Sequence, residues 1–258
     1  MDSLKNKSVI LTGAGTGIGR ITAKMLGEMG ANVFIVGRRE NLLIDAVKEI
    51  EEGGGNGAYI SADLEDGDAA ANVAEVAIKE FGNIQYLINN AGHSSKVRAL
   101  RYVDKEDWQS VFNVNVEGVY RLTQAILPNM IKNGEGTVVT VSSMAAINPG
   151  LMGGIPYSSA KAAVAAMMTA MRQELREYGI RSCTIYPAEV DTPILDNRPL
   201  PPDAKARSTM MQPEDIAEAI LLCMRMPQRT IVQDLVVSPT IMRDVSEDMK
   251  IAKNLKSK

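Results

Sequence analysis

Thr12-Gly13-Ala14-Gly15-Thr16-Gly17-Ile18-Gly19 follows the apolar run Val9-Ile10-Leu11 and precedes a stretch with helical periodicity. A strand that ends in glycines and leads into a helix presents free backbone N–H groups at the helix N-terminus. Glycine also lets the backbone approach a ligand closely, so this arrangement predicts a binding site for a dinucleotide pyrophosphate. The glycine spacing differs from the usual G-x-G-x-x-G, and a plain tight turn between strand and helix is the alternative. The residues expected to contact the ligand here are Gly13, Thr16, Gly17, Ile18 and Gly19.

Composition and charge narrow the class of protein. The chain has 258 residues, 45% of them hydrophobic, and a net charge of −3, so one domain over residues 1–258 is expected and a nucleic-acid partner is not. There is no run of eighteen apolar residues, and the first five residues are too polar for a signal peptide, so no membrane association is expected. Its two cysteines do not form a disulfide framework. A cytoplasmic location is the simplest expectation.

Short apolar strands alternate with longer helical patterns along the chain. The pattern predicts strands near 7–12, 32–37, 57–62, 84–90, 136–142, 181–187 and 233–237. It predicts helices near 17–30, 40–52, 67–82, 104–132, 156–178 and 213–226. This alternation indicates an α/β fold with a doubly wound parallel sheet of about seven strands and helices on both faces. In such a fold, the ligand crevice lies beyond the carboxyl ends of the strands.

Four further landmarks stand where predicted strands end or a helix begins. Asn89-Asn90-Ala91-Gly92 and Ser142-Ser143 each close a strand. Tyr157 and Lys161 lie four residues apart at the start of an alanine-rich helix, and Pro187-Ala188-Glu189-Val190-Asp191-Thr192 follows a later strand. These polar residues are therefore expected to meet at one edge of the sheet.

Together with the glycine-rich turn, these landmarks resemble the short-chain dehydrogenase/reductase family. They match TGxxxGIG, NNAG, the Ser…YxxxK pair and most of PGxVxT, in order, from about residue 5 to about residue 190. The resemblance implies a Rossmann-type fold, a nicotinamide cofactor, and hydride transfer between a carbonyl and an alcohol. One departure is Ala188, which stands where the family has glycine and lacks the freedom of glycine at positive φ.

Tyr157 is the expected acid/base. An unperturbed tyrosine titrates near ~10, and a cation on Lys161, one helical turn away on the same face, is expected to lower that pKa. Ser143, fourteen residues before Tyr157, is the expected partner of the substrate oxygen, while Ser142 more plausibly caps backbone.

Asn115 aligns with the active-site asparagine of the family. An asparagine in mid-helix is mildly unfavourable unless it has a task, here the binding of a water for proton relay. Asn113, two positions away, is the rival.

The cofactor type is predicted from the end of the second strand. A carboxylate there would bind the ribose 2′-hydroxyl of NAD, but this chain has Gly37 followed by Arg38 and Arg39. Guanidinium groups suit a 2′-phosphate, which predicts NADP (NADPH); a solvated arginine pair is the alternative. Asp63 resembles the adenine-contacting aspartate of the family. The other cofactor contacts implied by the resemblance are Asn90, Gly92, Tyr157, Lys161, Val190 and Thr192.

Metal binding is not expected, because no His/Cys/Asp cluster has metal-ligand spacing. The only histidine, His93, points either into the cleft or to solvent.

The proline-rich segment 191–213 is interpreted as a substrate lid, with a plain surface loop as the alternative. Arg198 and Arg207 within it could meet an anionic substrate group or could be solvated charges. The uncharged helical stretch 162–171 needs a cover on both sides, which predicts a homo-oligomer, a tetramer or a dimer.

The expected activity is therefore that of an NADP-dependent oxidoreductase acting on a small-molecule carbonyl or alcohol. The alternative is a non-catalytic NADP-binding sensor or scaffold protein of the same fold.

Overall fold

A single parallel sheet of seven strands forms the centre of the computed structural model, which describes residues 4–256. Its strands are β1 (Ser8–Thr12), β2 (Asn32–Gly37), β3 (Asn56–Ser61), β4 (Tyr86–Asn89), β5 (Gly136–Val141), β6 (Ile180–Pro187) and β7 (Asp234–Val237). They lie in the order β3-β2-β1-β4-β5-β6-β7, and every neighbouring pair is parallel. The predicted α/β, Rossmann-type doubly wound sheet is confirmed.

Helices cover both faces of this sheet. They are α1 (Gly17–Glu28), α2 (Glu40–Glu52), α3 (Ala69–Phe81), α4 (Lys105–Phe112), α5 (Gly118–Asn133), α6 (Met144–Ile147), α7 (Ile155–Glu174), α8 (Ala204–Arg207), α9 (Pro213–Arg225) and α10 (Ser246–Asn254). α1, α2 and α9 pack on one face, and α3, α5 and α7 pack on the other. No helix within residues 4–256 has the length and apolarity that crossing a membrane requires.

Successive residues of the central strands supply two separate cores. On β1, Val9 and Leu11 join the cluster beneath α1, α2 and α9, whereas Ile10 joins the opposite cluster. All three side chains are fully buried. Because side chains alternate between the faces of a strand, a sheet covered on both sides needs apolar residues at every position. This is why the central strands are continuous apolar runs.

The strand order reverses between β1 and β4, which opens a crevice beyond their carboxyl ends. The Thr12 hydroxyl accepts hydrogen bonds from the backbone N–H groups of Asn90 and Ala91, each at 3.0 Å. The Asn90 amide in turn donates to the carbonyl oxygens of Thr12 and Gly13 at 3.1 and 3.3 Å. These bonds hold the glycine-rich turn after β1 against the loop after β4.

The structure differs from the sequence-based expectation at several helices, among them the short α6 and α8, which the sequence pattern did not predict. The helix expected over 104–132 is interrupted by a π-helical turn, Asn113–Glu117, between α4 and α5. The sequence pattern also missed α10, which has few apolar positions. Both carboxylate oxygens of Asp248 on α10 accept from the Arg243 guanidinium, at 2.8 and 2.9 Å. That tertiary ion pair, rather than a hydrophobic face, ties α10 to the chain before it.

Candidate active site

A cleft of about 400 Å³ lies at the reversal point of the sheet. Its walls include most of the residues that the sequence nominates for the cofactor: Gly13, Thr16, Gly17, Ile18, Arg38, Arg39, Asp63, Asn90, Gly92 and Thr192. Gly19, Val190, Tyr157 and Lys161 are not among the lining residues. The cleft has the size of a small-molecule site and opens beside the N-terminus of α1.

Several positions of this turn require glycine, either because φ is positive or because other atoms lie where a Cβ would stand. Gly13 and Gly17 have φ of +69° and +55°, which disfavour any other residue. A Cβ on Gly19 would stand 2.3 Å from the Gly13 carbonyl oxygen and 2.7 Å from Asn90 Nδ2. Gly19 therefore serves the packing inside the turn, whereas Gly13 and Gly17 border the cleft. A turn of this kind leaves the room and the free N–H groups that a pyrophosphate needs.

At the end of β2, the cleft wall carries positive charge. The Arg38 side chain is 65% exposed, and its Nη1 stands 3.8 Å from Asp63 Oδ2. Gly37 contributes no side chain between these groups and the cleft. An exposed ion pair at this distance contributes little to stability, so Arg38 is free to turn toward a ligand.

Tyr157 lies in the first turn of α7 and is partly exposed. Burial of the hydroxyl raises the pKa of Tyr157 above its ordinary value. A hydrogen bond with the Ser143 hydroxyl and the positive charges of Arg98 and Arg198 act in the opposite direction. Ser143 also caps α6, because its hydroxyl accepts from the Ala145 N–H at 3.1 Å.

Lys161 is almost fully buried, and its Nζ stands 5.6 Å from the centre of the Tyr157 ring. The ammonium donates to the Val141 carbonyl oxygen at 2.9 Å. Burial lowers the pKa of Lys161 to about 8. The positive charges of Arg98 and Arg198, which lie far from Tyr157 in sequence, also act on the Tyr157 hydroxyl. The role of Lys161 in lowering the pKa of Tyr157 stays a prediction.

The two serines after β5 have different partners. The Ser142 hydroxyl is buried and donates to the Lys161 carbonyl oxygen at 2.9 Å, as a backbone-bonding serine would. Ser143 faces the Tyr157 hydroxyl. The geometry is consistent with the choice of Ser143 over Ser142, although the role of Ser143 stays a prediction.

Asn115 lies fully buried in the π-helical turn. Its amide nitrogen donates to the His93 and Val111 carbonyl oxygens, each at 2.8 Å, while its Oδ1 has no partner within residues 4–256. A Cβ on Gly92 would come within 2.7 Å of Asn115 Oδ1 and 3.3 Å of Lys161 Nζ. The missing side chain of Gly92 thus leaves a gap between an unsatisfied acceptor and an ammonium group. The extra residue of a π turn is a frequent feature of functional sites.

His93 borders the cleft, and its Nε2 lies 3.1 Å from the Ser110 hydroxyl. The ring is therefore held by a neighbour on α4 rather than left in solvent.

The segment after β6 is anchored at both ends. Val190 pairs with Met211 in a parallel bridge, and the Asp191 N–H donates to the Met211 carbonyl oxygen at 2.8 Å. Thr192, which borders the cleft, packs its methyl group toward Gly17. Arg207 pairs with Asp191 and Asp196 at 2.6 and 2.5 Å. Segment 191–213 therefore forms an arch that is pinned at its base and carries α8.

Arg98, a nearly fully buried residue in the loop after β4, is not among the site residues expected from the sequence. The sequence-based interpretation placed Arg198 in solvent or against a substrate, whereas Arg198 Nη1 stands 2.5 Å from Glu189 Oε1. The flanking residues Val97 and Ala99 are apolar and buried, which is the only local signal that Arg98 points inward.

The chain is similar to known proteins over most of its length. A family model described as short chain dehydrogenase matches residues 7–201. The 3-oxoacyl-[acyl-carrier-protein] reductase FabG of Thermotoga maritima is 33% identical over 229 residues, which cover 84% of this chain and 90% of that protein.

Two solved structures are similar over nearly their whole length. A metagenomic short-chain oxidoreductase in complex with NADP is 27% identical, with a TM-score of 0.81, and the match covers 93% of this chain and 100% of that one. The 3-ketoacyl-(acyl-carrier-protein) reductase of Brucella melitensis, complexed with NADH, is 29% identical, with a TM-score of 0.82, and the match covers 92% and 98% of the two chains.

Proposed function

Because this chain belongs to the short-chain dehydrogenase family, we propose that it is an NADP-dependent oxidoreductase that interconverts a carbonyl and a primary or secondary alcohol. The observation that carries the proposal is the contact of the Tyr157 hydroxyl with the Ser143 hydroxyl, with Lys161 against the tyrosine ring. A proton donor, a hydrogen-bonding hydroxyl and an ammonium group in one place are what carbonyl reduction requires.

The cleft fits a nicotinamide dinucleotide. The glycine-rich turn and the N-terminus of α1 would hold the pyrophosphate, and Asp63 would contact the adenine. Arg38 and Arg39 would bind the 2′-phosphate of NADP, since no carboxylate occupies position 37. When bound, the nicotinamide supplies or accepts the hydride. Val190 and Thr192, at the base of the arch, would lie beside the nicotinamide amide.

In the reduction direction, Tyr157 donates its proton to the carbonyl oxygen, and in oxidation it takes the proton from the alcohol. The Ser143 hydroxyl hydrogen-bonds the same oxygen and orients it. Burial keeps Tyr157 protonated and ready to donate, while the nearby guanidinium groups stabilise the phenolate that remains. These opposed effects suit a group that must both give and take a proton.

The gap beside Gly92 supports a path that restores this proton. Asn115 Oδ1 is a buried acceptor without a partner within residues 4–256, and Lys161 Nζ is a donor on the other side of the gap. A water bridging the two would satisfy Asn115 and, in the reduction direction, would pass a proton from solvent toward Lys161. Lys161 also would hold the ribose hydroxyls of the cofactor.

Tyr157→Phe tests the proposal, because it removes the hydroxyl and keeps the ring. We expect turnover to fall by roughly 10²–10⁴, the usual contribution of a general acid/base, with unchanged cofactor affinity. The assay follows NADPH oxidation by absorbance over a panel of ketones and aldehydes. Tyr178→Phe, at an exposed position far along the chain, is the matched control.

Near-normal activity of Tyr157→Phe would refute the mechanism. A wild-type protein that binds NADPH but reduces no carbonyl would favour the sensor or scaffold function instead.

We also propose that the protein is a homo-oligomer, a tetramer or a dimer. The outer face of α7 exposes four small residues without charge, Ala162, Ala166, Thr169 and Ala170. Small uncharged residues let a second helix approach closely, which supports a subunit contact here. Cys183 and Cys223 are both free and buried, which supports a cytoplasmic location.

A further inference from the structure

His93, the only histidine of the protein, belongs to a series of three hydrogen-bonded side chains at the edge of the cleft. Its Nε2 lies 3.1 Å from the Ser110 hydroxyl on α4. That hydroxyl in turn donates to Glu65 Oε1, at 3.1 Å, in the segment after β3. His93 is only partly buried, and it has no part in the proton transfer proposed for Tyr157.

The partners of the Ser110 hydroxyl determine which nitrogen of the His93 ring carries the proton. A serine hydroxyl has a single hydrogen, and a carboxylate can only accept. Because Ser110 gives its hydrogen to Glu65, it must accept from His93, so Nε2 is the protonated nitrogen. In the neutral ring, Nδ1 is then an acceptor, since the hydrogen bond of one imidazole nitrogen fixes the role of the other.

His93 Nδ1 is available to a ligand. It makes no hydrogen bond within residues 4–256, and it is not one of the buried polar atoms that lack a partner, so solvent reaches it. The backbone of His93 is held separately, because its carbonyl oxygen accepts from the Asn115 amide at 2.8 Å. The residue is therefore fixed at two points and leaves one unpaired acceptor at the cleft.

The His93 ring lies toward the side of the cleft that we propose to hold adenine. Through Ser110, the ring is linked to Glu65, which follows two residues after Asp63. Asp63 lines the same cleft and is the proposed adenine contact, whereas Tyr157 does not line it. The position of His93 therefore favours a contact with the adenosine half of the dinucleotide over one with the reacting carbonyl.

We propose that His93 Nδ1 accepts a hydrogen bond from the adenosine half of NADPH, from the 6-amino group of adenine or from a ribose hydroxyl. The inference rests on the proposed NADP site and adds a binding residue to it. A phosphate is not the partner, because a phosphate oxygen and an unprotonated Nδ1 are both acceptors. Ser110 and Glu65 are positioning residues, since they hold the ring in the tautomer that leaves Nδ1 unprotonated before the cofactor arrives.

Two substitutions separate cofactor binding from a structural role of His93. His93→Gln places an amide nitrogen near the position of Nε2, so it can keep the bond to Ser110, but it has no acceptor at the position of Nδ1. His93→Asn does the reverse, because its Oδ1 can stand near the position of Nδ1 while the side chain is too short to reach Ser110.

The Kd of NADPH, measured by isothermal titration calorimetry, should follow the acceptor and not the bond to Ser110. We expect His93→Gln to raise Kd by roughly three- to tenfold and to leave Tm unchanged. We expect His93→Asn to lower Tm and to keep Kd within about twofold of the wild type. Ser94→Ala, which removes a neighbouring hydroxyl that bonds the Ser95 carbonyl oxygen, is the control and should leave Kd unchanged.

The tautomer gives a spectroscopic readout that a merely structural histidine would not move. Because His93 is the only histidine, ¹⁵N labelling of histidine reports the two ring nitrogens of one residue, provided that the protein carries no histidine tag. In the free protein at neutral pH, Nε2 should resonate as a protonated nitrogen and Nδ1 as an unprotonated one. NADPH should move the Nδ1 signal to lower frequency, as hydrogen bonding does to an unprotonated nitrogen, and Ser110→Ala should populate the other tautomer.

An analogue of the cofactor identifies the donor. Reduced nicotinamide hypoxanthine dinucleotide phosphate has a carbonyl oxygen in place of the 6-amino group of adenine. If the amino group is the partner, the analogue should weaken binding to the wild type at least about threefold more than binding to His93→Gln. If His93→Gln loses the same affinity for both cofactors, the partner is a ribose hydroxyl.

The outcomes separate this inference from the proposed function. A His93→Gln variant that binds NADPH as tightly as the wild type overturns the inference and leaves the proposed function standing. So does a free protein with a protonated Nδ1, or an Nδ1 signal that NADPH does not move. A wild type that binds no nicotinamide dinucleotide refutes the proposed function and the inference with it.

Discussion

The preference for NADPH should depend on Arg38 and should be reversible by two substitutions at the end of β2. A charge-assisted hydrogen bond contributes about 1.5–3 kcal/mol. The Arg38 side chain is 65% exposed and lies 3.8 Å from the Asp63 carboxylate, so solvent and a competing partner weaken its contact with a phosphate. We therefore take the lower end, about 1.5 kcal/mol, which corresponds to roughly tenfold in kcat/KM.

Gly37→Asp adds the carboxylate that would bind the ribose hydroxyl of NADH and repel the 2′-phosphate of NADPH. The structure has room for it: Gly37 is not at positive φ, and a Cβ there would meet only the Leu43 Cδ2 methyl, at 3.2 Å. The close contact is with a side-chain methyl and not with backbone, so the Leu43 side chain would have to shift by a few tenths of an ångström. Gly37→Asp combined with Arg38→Leu should then favour NADH.

The assay is kcat/KM with NADPH and with NADH for the wild type, each single variant and the double variant. Arg38→Leu alone should lose roughly tenfold with NADPH and change little with NADH. Lys48→Leu, which removes a charge from the exposed side of α2, is the control for a general electrostatic effect. A wild type that uses NADH as well as NADPH would refute the reasoning, because Arg38 and Arg39 would then be surface charges only.

Three further predictions concern stability, assembly and the arch. The pKa of Lys161 falls from 10.5 to about 8 on folding, so the unfolded chain binds more protons between these pH values. Denaturant titrations of the wild type and of Lys161→Met give the difference in their free energies of unfolding. This difference should rise with pH across this window, by at most about 3 kcal/mol. A difference that does not change with pH would contradict the argument that burial lowers the pKa of Lys161. Ala166→Glu would bury a carboxylate in the subunit contact and should dissociate the assembly in light scattering. A wild type that scatters as a 27.9 kDa monomer at micromolar concentration would disprove the contact. Arg207→Ala removes both ion pairs of the arch and should speed proteolysis within 191–213, whereas NADPH and substrate should slow it in the wild type; equal rates with and without ligand would argue against a closing lid.

Much of the fold and of the candidate site could be predicted from local sequence. Runs such as Val9-Ile10-Leu11 predict strands that are covered on both faces, because their apolar residues do not alternate with polar ones. Glycine at positions 13 and 17 has a local cause, since both have positive φ. A spacing of four residues places Tyr157 and Lys161 on one helical turn. These inferences needed only backbone geometry and periodicity.

Two features of the helices could not be read from periodicity. The π turn at Asn113–Glu117 depends on the packing of α4 and α5 and not on a residue pattern. α10 is held by the Arg243–Asp248 ion pair, and a salt bridge between a loop and a helix leaves no hydrophobic signature.

The sequence by itself therefore determined the sheet, its glycine-rich turn and the identity of the polar residues at the strand ends. The tertiary structure decided which charges act on those residues. Burial dominates the pKa of Tyr157, and Arg98 and Arg198 reach it from two separate loops. The physical reason is that local conformation follows from neighbours along the chain, whereas burial and electrostatic interaction depend on distances through space between groups that only the complete fold brings together.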